Sequence, residues 1–261
     1  MNTLQATCAH MLPICLLTAA VVSLAEAEPY EVDPGINGVT VHGRVKLGAP
    51  LKDTVAVPVF RDSEFCGDTT LSDAPSVDPA TNGLSGVVLS IQGIEKGKPL
   101  TPSDSPVTIE IESKACRFSP HLTTTLVGAS LEIRNLDPIL HNLHVRKDTR
   151  YGPTVMNVIQ PAGTRSVQKP FGEAGFLDVR CDVHPFMGAF IHVFEHPYYA
   201  ITDNTGQFSM TKVPPGVYKV SLWHEQFGFR EKTVKVPPGE SLSLDFELTK
   251  EAHPMVGKPA R

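Results

Sequence analysis

From Val39 onward the chain places apolar residues at every second position, in short runs. Val39, Val41 and Val45 share one parity, as do Val87, Leu89 and Ile91. Val107, Ile109 and Ile111 face one way while Thr108, Glu110 and Glu112 face the other. Leu131 with Ile133, Leu177 with Val179, then Tyr218, Val220 and Leu222, and Leu242, Leu244, Phe246 and Leu248 continue the pattern. Period two is the mark of a half-buried β-strand, because successive side chains leave opposite faces of the pleat. Turn signals separate the runs at Asp33-Pro34-Gly35, Asn82-Gly83, Asp203-Asn204-Thr205-Gly206 and Pro214-Pro215-Gly216. The 20 glycines and 23 prolines among 261 residues exceed the average of roughly 12%, which disfavours long helices. The expected fold class is all-β, built as β-sandwiches.

The first 27 residues read as an export signal. Met11 to Ala25 form an apolar run too short for a comfortable membrane span. Ala25-Glu26-Ala27 supplies a small-x-small cleavage site, so the mature chain starts near Glu28. Residues 1–10 depart from the pattern in having no Lys or Arg, and Pro13 and Ile14 fit a lipoprotein signal poorly despite Cys15. Of the 5 cysteines, cleavage removes Cys8 and Cys15 and leaves Cys66, Cys116 and Cys181. In a periplasmic or secreted setting two can pair, and one is left over. A second long apolar run is not seen, so no membrane span is expected in the mature chain. A net charge of −5 offers no broad basic surface for nucleic acid.

Three blocks are expected between the signal and a loose tail at 251–261. Residues 28–105 are loop-rich with two good strands. Residues 106–195 carry Cys116, Cys181 and most of the mature histidines. Residues 196–250 form a compact strand-turn series.

The chemistry concentrates in the second block. Cys181-Asp182-Val183-His184-Pro185-Phe186-Met187 brings a thiolate, an imidazole and a thioether into one loop. About forty residues upstream, Asp137-Pro138-Ile139-Leu140-His141-Asn142-Leu143-His144 offers further imidazoles. Two imidazoles, one thiolate and a weak axial thioether make the ligand set of a mononuclear electron-transfer copper site. Zinc rarely takes a thioether and prefers closed Cys/His sets. A binuclear copper centre would need a second cysteine in the loop.

The strings Cys181-x-x-His184-Pro185-Phe186-Met187 and His141-Asn142-x-His144 resemble the cupredoxins, amicyanin-like members above all, over roughly residues 106–195. The resemblance implies a Greek-key sandwich with copper held by His141, Cys181, His184 and Met187. It implies that Asn142 ties the two ligand loops together. It also implies an electron port at the exposed edge of His184, bordered by Pro185 and Phe186. His144, three beyond His141 on a strand, is expected to face the other way as a structural histidine. His121, His192 and His196 are expected to stand outside the ligand set. With Cys181 on copper, Cys66 and Cys116 remain as the candidate disulfide.

Residues 199–223 carry T-D-x-x-G-x-F followed by P-P-G-x-Y and an alternating strand. This resembles the carboxypeptidase regulatory-like, transthyretin-like sandwich family, which is generally non-catalytic. The family's opening strands are missing directly before this turn. Residues 37–47 and 84–92 are expected to supply them, making a discontinuous sandwich with the copper block inserted. Trp223 is expected in a core. No nucleophile or cleft signal supports a hydrolytic site at Asp203 or Glu225.

Together these features imply an exported copper protein that shuttles single electrons and is not an enzyme. The resemblance implies a redox partner such as a quinoprotein amine dehydrogenase of methylamine utilization or a c-type cytochrome. The alternatives are copper storage or delivery, or a glycan-binding or scaffolding protein with a vestigial metal site.

Overall fold

The computed structural model describes residues 30–48, 55–71, 75–100 and 107–249. The export signal with Cys8 and Cys15, and the tail at 251–261, lie outside these described residues. The described chain is almost entirely β, with one short helix, Ser63–Cys66. No helix among the described residues is long and apolar enough to cross a membrane.

Two sandwiches account for the four- and five-stranded sheets. In the first, the four-stranded sheet runs Arg165–Val167, Ser130–Asn135, Thr108–Lys114, Arg117–Ser119. It faces a five-stranded sheet ordered Thr154–Gln160, His141–Lys147, Gly175–Arg180, Gly188–Phe194, Leu122–Leu126. Ile111, Leu131 and Ile133 from one sheet meet Leu143, Val145, Val179 and Ile191 from the other in one buried core. Ile111, Leu131, Ile133 and Val179 are among the residues whose alternation marked the strands, since a strand in a sandwich turns every second side chain inward.

The second sandwich is assembled from both ends of the described chain. Val39–Leu47 pairs antiparallel with Gln207–Val213 and parallel with Leu242–Ser243 and Phe246–Leu248. Val88–Gln92 lies between Tyr199–Ile201 and Gly216–His224, and Gly216–His224 pairs on with Gly228–Val236. The strands of the first sandwich therefore fall, in sequence, between strands that pair with one another here. The run Leu242 to Leu248 departs from a single strand. It breaks at Leu244, whose N–H donates to the His42 carbonyl at 2.8 Å, and at Asp245, whose carboxylate accepts the Arg44 N–H at 2.9 Å. Gly43 makes this approach possible, because a Cβ there would sit 1.8 Å from the Leu244 carbonyl oxygen.

A third apolar cluster joins the sandwiches: Val88, Leu126, Phe176, Phe190, Phe194 and Trp223. The Trp223 ring packs 5.0 Å from Phe176, 5.2 Å from Phe190 and 4.6 Å from His192. This seam explains why Gly188–Phe194 is buried along its whole length, with Ala189, Ile191 and Val193 in the first core and Phe190 and Phe194 in the seam. It also buries Ser221 and Trp223, the residues alternating with Val220 and Leu222.

A hairpin, Ala56–Pro58 with Thr69–Leu71, carries the helix Ser63–Cys66 at its tip. A Cys66–Cys116 disulfide fastens this tip to the first sandwich, with the two Cα atoms 5.6 Å apart. Cys181 is the free, buried cysteine among the described residues.

Candidate metal centre

Three elements converge at one end of the first sandwich. Antiparallel pairing of His141–Lys147 with Gly175–Arg180 sets His144 opposite Arg180, so His141 lies over the chain just past Arg180. That chain turns through Cys181 and His184 before entering Gly188–Phe194. The turn is closed by the Met187 N–H donating to the His184 carbonyl at 2.9 Å and the Cys181 N–H to the Met187 carbonyl at 3.3 Å. His141, Cys181 and His184 are all buried, and one donor atom from each lies within 4.8 Å of the others.

The distances define a triangle. His141 Nδ1 and His184 Nδ1 are 3.1 Å apart, and Cys181 Sγ is 4.0 Å from the first and 3.7 Å from the second. Carboxylates fix the ring orientations from behind. Asp137 Oδ2 lies 2.8 Å from His141 Nε2, and Asp62 Oδ2 lies 2.9 Å from His184 Nε2. A carboxylate only accepts, so each Nε2 carries the proton and each Nδ1 presents a lone pair to the triangle. Two ring nitrogens and a thiol converging within 4.8 Å of one another, away from water, suit a soft cation. Metal–nitrogen and metal–sulfur bonds of about 2.0–2.3 Å around one ion need donor separations of roughly 3.5–3.7 Å, close to those found.

The sulfur is held as firmly as the rings. The backbone N–H groups of Asn142 and His184 each donate to Cys181 Sγ at 3.4 Å. Asn142 Oδ1 accepts the Asp182 N–H at 3.3 Å, and its Nδ2 donates to Asn157 Oδ1. Asn142 thus links the segments that carry His141 and Cys181. Burial pushes the Cys181 thiol up from its ordinary pKa, against the pull of the N–H groups of Asn142, His184 and Val183. Burial also draws His141 below the usual imidazole range, with the Asp137 hydrogen bond opposing it.

Met187 is buried in the same loop. His144 points away, its Nδ1 2.7 Å from Asp182 Oδ2 and its Nε2 2.8 Å from Thr154 Oγ1. His121 lies 3.0 Å from the Gly188 carbonyl and 2.8 Å from Glu225 Oε2, outside the cluster. His192 belongs to the seam, and His196 packs beside Tyr30 and Tyr198.

One expectation is corrected. His184 offers no open edge between Pro185 and Phe186: its ring is 0% exposed. Pro185 is exposed and Phe186 half-buried, but the hairpin tip carrying Asp62 lies over the imidazole. Sequence reasoning missed Asp62 altogether, for it stands 122 positions before His184. It quoted Asp137 without giving it a part. Its spacing four before His141 was the available signal.

Fold and site together define a double β-sandwich protein with a buried imidazole–imidazole–thiol cluster whose donor atoms could hold a metal ion. Residues 182–249 match the family model of the carboxypeptidase regulatory-like domain, a stretch that begins inside the Cys181–Met187 loop. Among solved structures, the chain is similar to a copper-containing nitrite reductase from Thermus scotoductus SA-01, with 24% identity, 37% of this chain and 24% of that one covered, and a TM-score of 0.30. A purple cupredoxin from Nitrosopumilus maritimus shares 22% identity over 32% of this chain and 97% of its own, at a TM-score of 0.28. Auracyanin A, a blue copper protein from Chloroflexus aurantiacus, shares 18% over 34% and 99%, at 0.30. The chain spans about a quarter of the nitrite reductase's length. No protein of curated function matches it. Both resemblances read from the motifs reappear here, but likenesses at such TM-scores carry no functional inference. The donor atoms do.

Proposed function

We propose that this protein holds one copper ion between His141 Nδ1, His184 Nδ1 and Cys181 Sγ and carries single electrons in the periplasm or outside the cell. The observation that supports this most is the buried triangle of two imidazole Nδ1 atoms and one thiol. Copper bound there supplies a one-electron couple. The Met187 thioether, buried in the same loop, would be the further donor in this reading, and a soft thioether beside a thiolate favours copper over zinc.

The residues around the triangle suit a carrier. Asp137 and Asp62 hold the rings, the N–H groups of Asn142 and His184 hold the sulfur, and the sandwich behind them is closely packed. Donors fixed in advance change little between oxidation states, which keeps the reorganisation cost of electron transfer low. Full burial favours a retained ion over the exchangeable one that storage or delivery would need. A carrier of this kind passes electrons to or from a protein partner, such as a quinoprotein dehydrogenase or a c-type cytochrome, and transforms no substrate itself.

The test is a Cu(II) titration of the metal-free protein, followed by visible absorption. An intense thiolate-to-copper band that bleaches on one-electron reduction and is absent from Cys181→Ser is the expected outcome. A colourless complex, or a Cys181→Ser variant that stays coloured, overturns the assignment and favours copper storage or delivery, and a protein that binds no copper favours the scaffolding role.

A further inference from the structure

The hairpin tip over His184 is the least expected part of the site. Asp62 sits at its turn with φ 54° and ψ 33°, the left-handed region that residues other than glycine, asparagine and aspartate rarely visit. Its carbonyl accepts the N–H groups of Phe65 and Cys66 at 3.0 and 2.9 Å, which fixes the short helix behind it. That helix ends at Cys66, whose disulfide runs to Cys116. The Cys116 N–H donates to Asp137 Oδ2 at 2.9 Å, and the same oxygen meets His141 Nε2. Arg117 Nη2 adds a bond to Thr70 Oγ1 at 3.1 Å on the returning strand. The Asp62 side chain is 37% exposed while the ring beneath it is 0% exposed, so this carboxylate stands between the imidazole and solvent.

We propose that Asp62 is a positioning residue for the copper centre, its carboxylate accepting the His184 Nε2–H so that Nδ1 stays turned to the metal and the ring edge stays closed. This rests on the copper reading above. Through Cys66–Cys116 the two imidazoles are backed by two carboxylates belonging to one braced unit. A carboxylate behind a ligating imidazole raises its basicity and fixes its tautomer. The added negative charge favours Cu(II) over Cu(I), because the more highly charged ion gains more from it. Electrons then enter or leave past Asp62 and not across a bare histidine edge.

The experiment compares copper-loaded full-length wild type with Asp62→Asn and Asp62→Ala by visible absorption, Cu(II) competition titration and reduction potential. Asparagine tolerates the left-handed backbone and keeps an acceptor oxygen, so Asp62→Asn removes charge with the tip in place. Asp62→Ala removes the acceptor as well. The thiolate-to-copper band is expected to persist in both variants. Cu(II) affinity should fall by about 10–100-fold, the usual cost of losing a partner behind a ligand. A tenfold loss confined to Cu(II) raises the potential by about 59 mV. Unchanged affinity and potential in both variants overturn the proposal, as does a fall in melting temperature with no change in potential. A wild type without the band overturns the copper reading and this inference with it. A coloured wild type with indifferent variants overturns this inference alone.

Discussion

Asp137 Oδ2 lies 2.8 Å from His141 Nε2 and accepts the Cys116 N–H at 2.9 Å, while Oδ1 takes the Ala115 N–H. One buried carboxylate thus serves a ring of the candidate centre and the turn that bears the disulfide. Asp137→Asn should lower Cu(II) affinity by about 10–100-fold with the fold intact. Asp137→Ala leaves buried N–H groups without an acceptor and should also cost about 1–3 kcal/mol of stability. Competition titration reads the first effect and urea unfolding of the metal-free protein the second. Equal stability of the two variants would argue against the bracing role.

Copper loading should depend on pH through Cys181. Burial raises the thiol's pKa above its ordinary value, so at neutral pH the sulfur is protonated and must lose that proton to become a ligand. His141 is drawn the other way and is already neutral there. Apparent Cu(II) affinity should therefore rise about tenfold per pH unit from pH 6 to 8, one proton being released per ion bound. Proton release measured in weakly buffered titrations checks this, and a flat affinity profile would contradict it.

The seam and its surroundings should make the protein acid-sensitive. Burial lowers His192 to about 3, and His196 and His224 to about 4. Each folded-state value lies below the unfolded value of about 6.5, so the unfolded chain binds more protons as pH falls. Stability is thus complete above about pH 6.5 and declines below it, down to the depressed values. Between pH 7 and 5 the loss is roughly 2 kcal/mol per histidine. His192 Nε2 is buried with no hydrogen-bond partner among the described residues, inside a ring of aromatic side chains. His192→Phe should reduce the difference in melting temperature between pH 7 and pH 5, by less than a third because His141 is depressed as well. An unaltered pH dependence would show that His192 titrates normally in the folded protein.

Much of the fold was legible because alternation is a local property. Val39, Val41 and Val45, or Leu131 and Ile133, show their inward parity whatever they pack against, and all are buried. The seam was not legible. Phe190, Phe194 and Trp223 occupy positions that a lone sandwich would give to water, and nothing in their spacing names a second sheet as their partner. The break at Leu244 was equally hidden, since it depends on hydrogen bonds to His42 and Arg44 some two hundred residues away.

At the candidate centre the division follows sequence separation. Cys181, His184 and Met187 fall within one turn, so their nearness is set by covalent chain length and is already plain in the amino-acid order. His141 enters through strand register, because its pairing partner leads directly into that turn. The motif pointed to it, but the distance of 3.1 Å between the two Nδ1 atoms is a product of the sheet. Asp62 comes from a hairpin whose own residues give no sign of an imidazole nearby. A disulfide spanning 50 positions and a hydrogen bond spanning 122 carry it there. The sequence by itself determined which donor types are present and which three share a loop. Only the tertiary structure decided that both rings are backed by carboxylates and that His184 is closed to solvent. Such contacts exist only once distant segments have packed, and chain order alone holds no record of the packing.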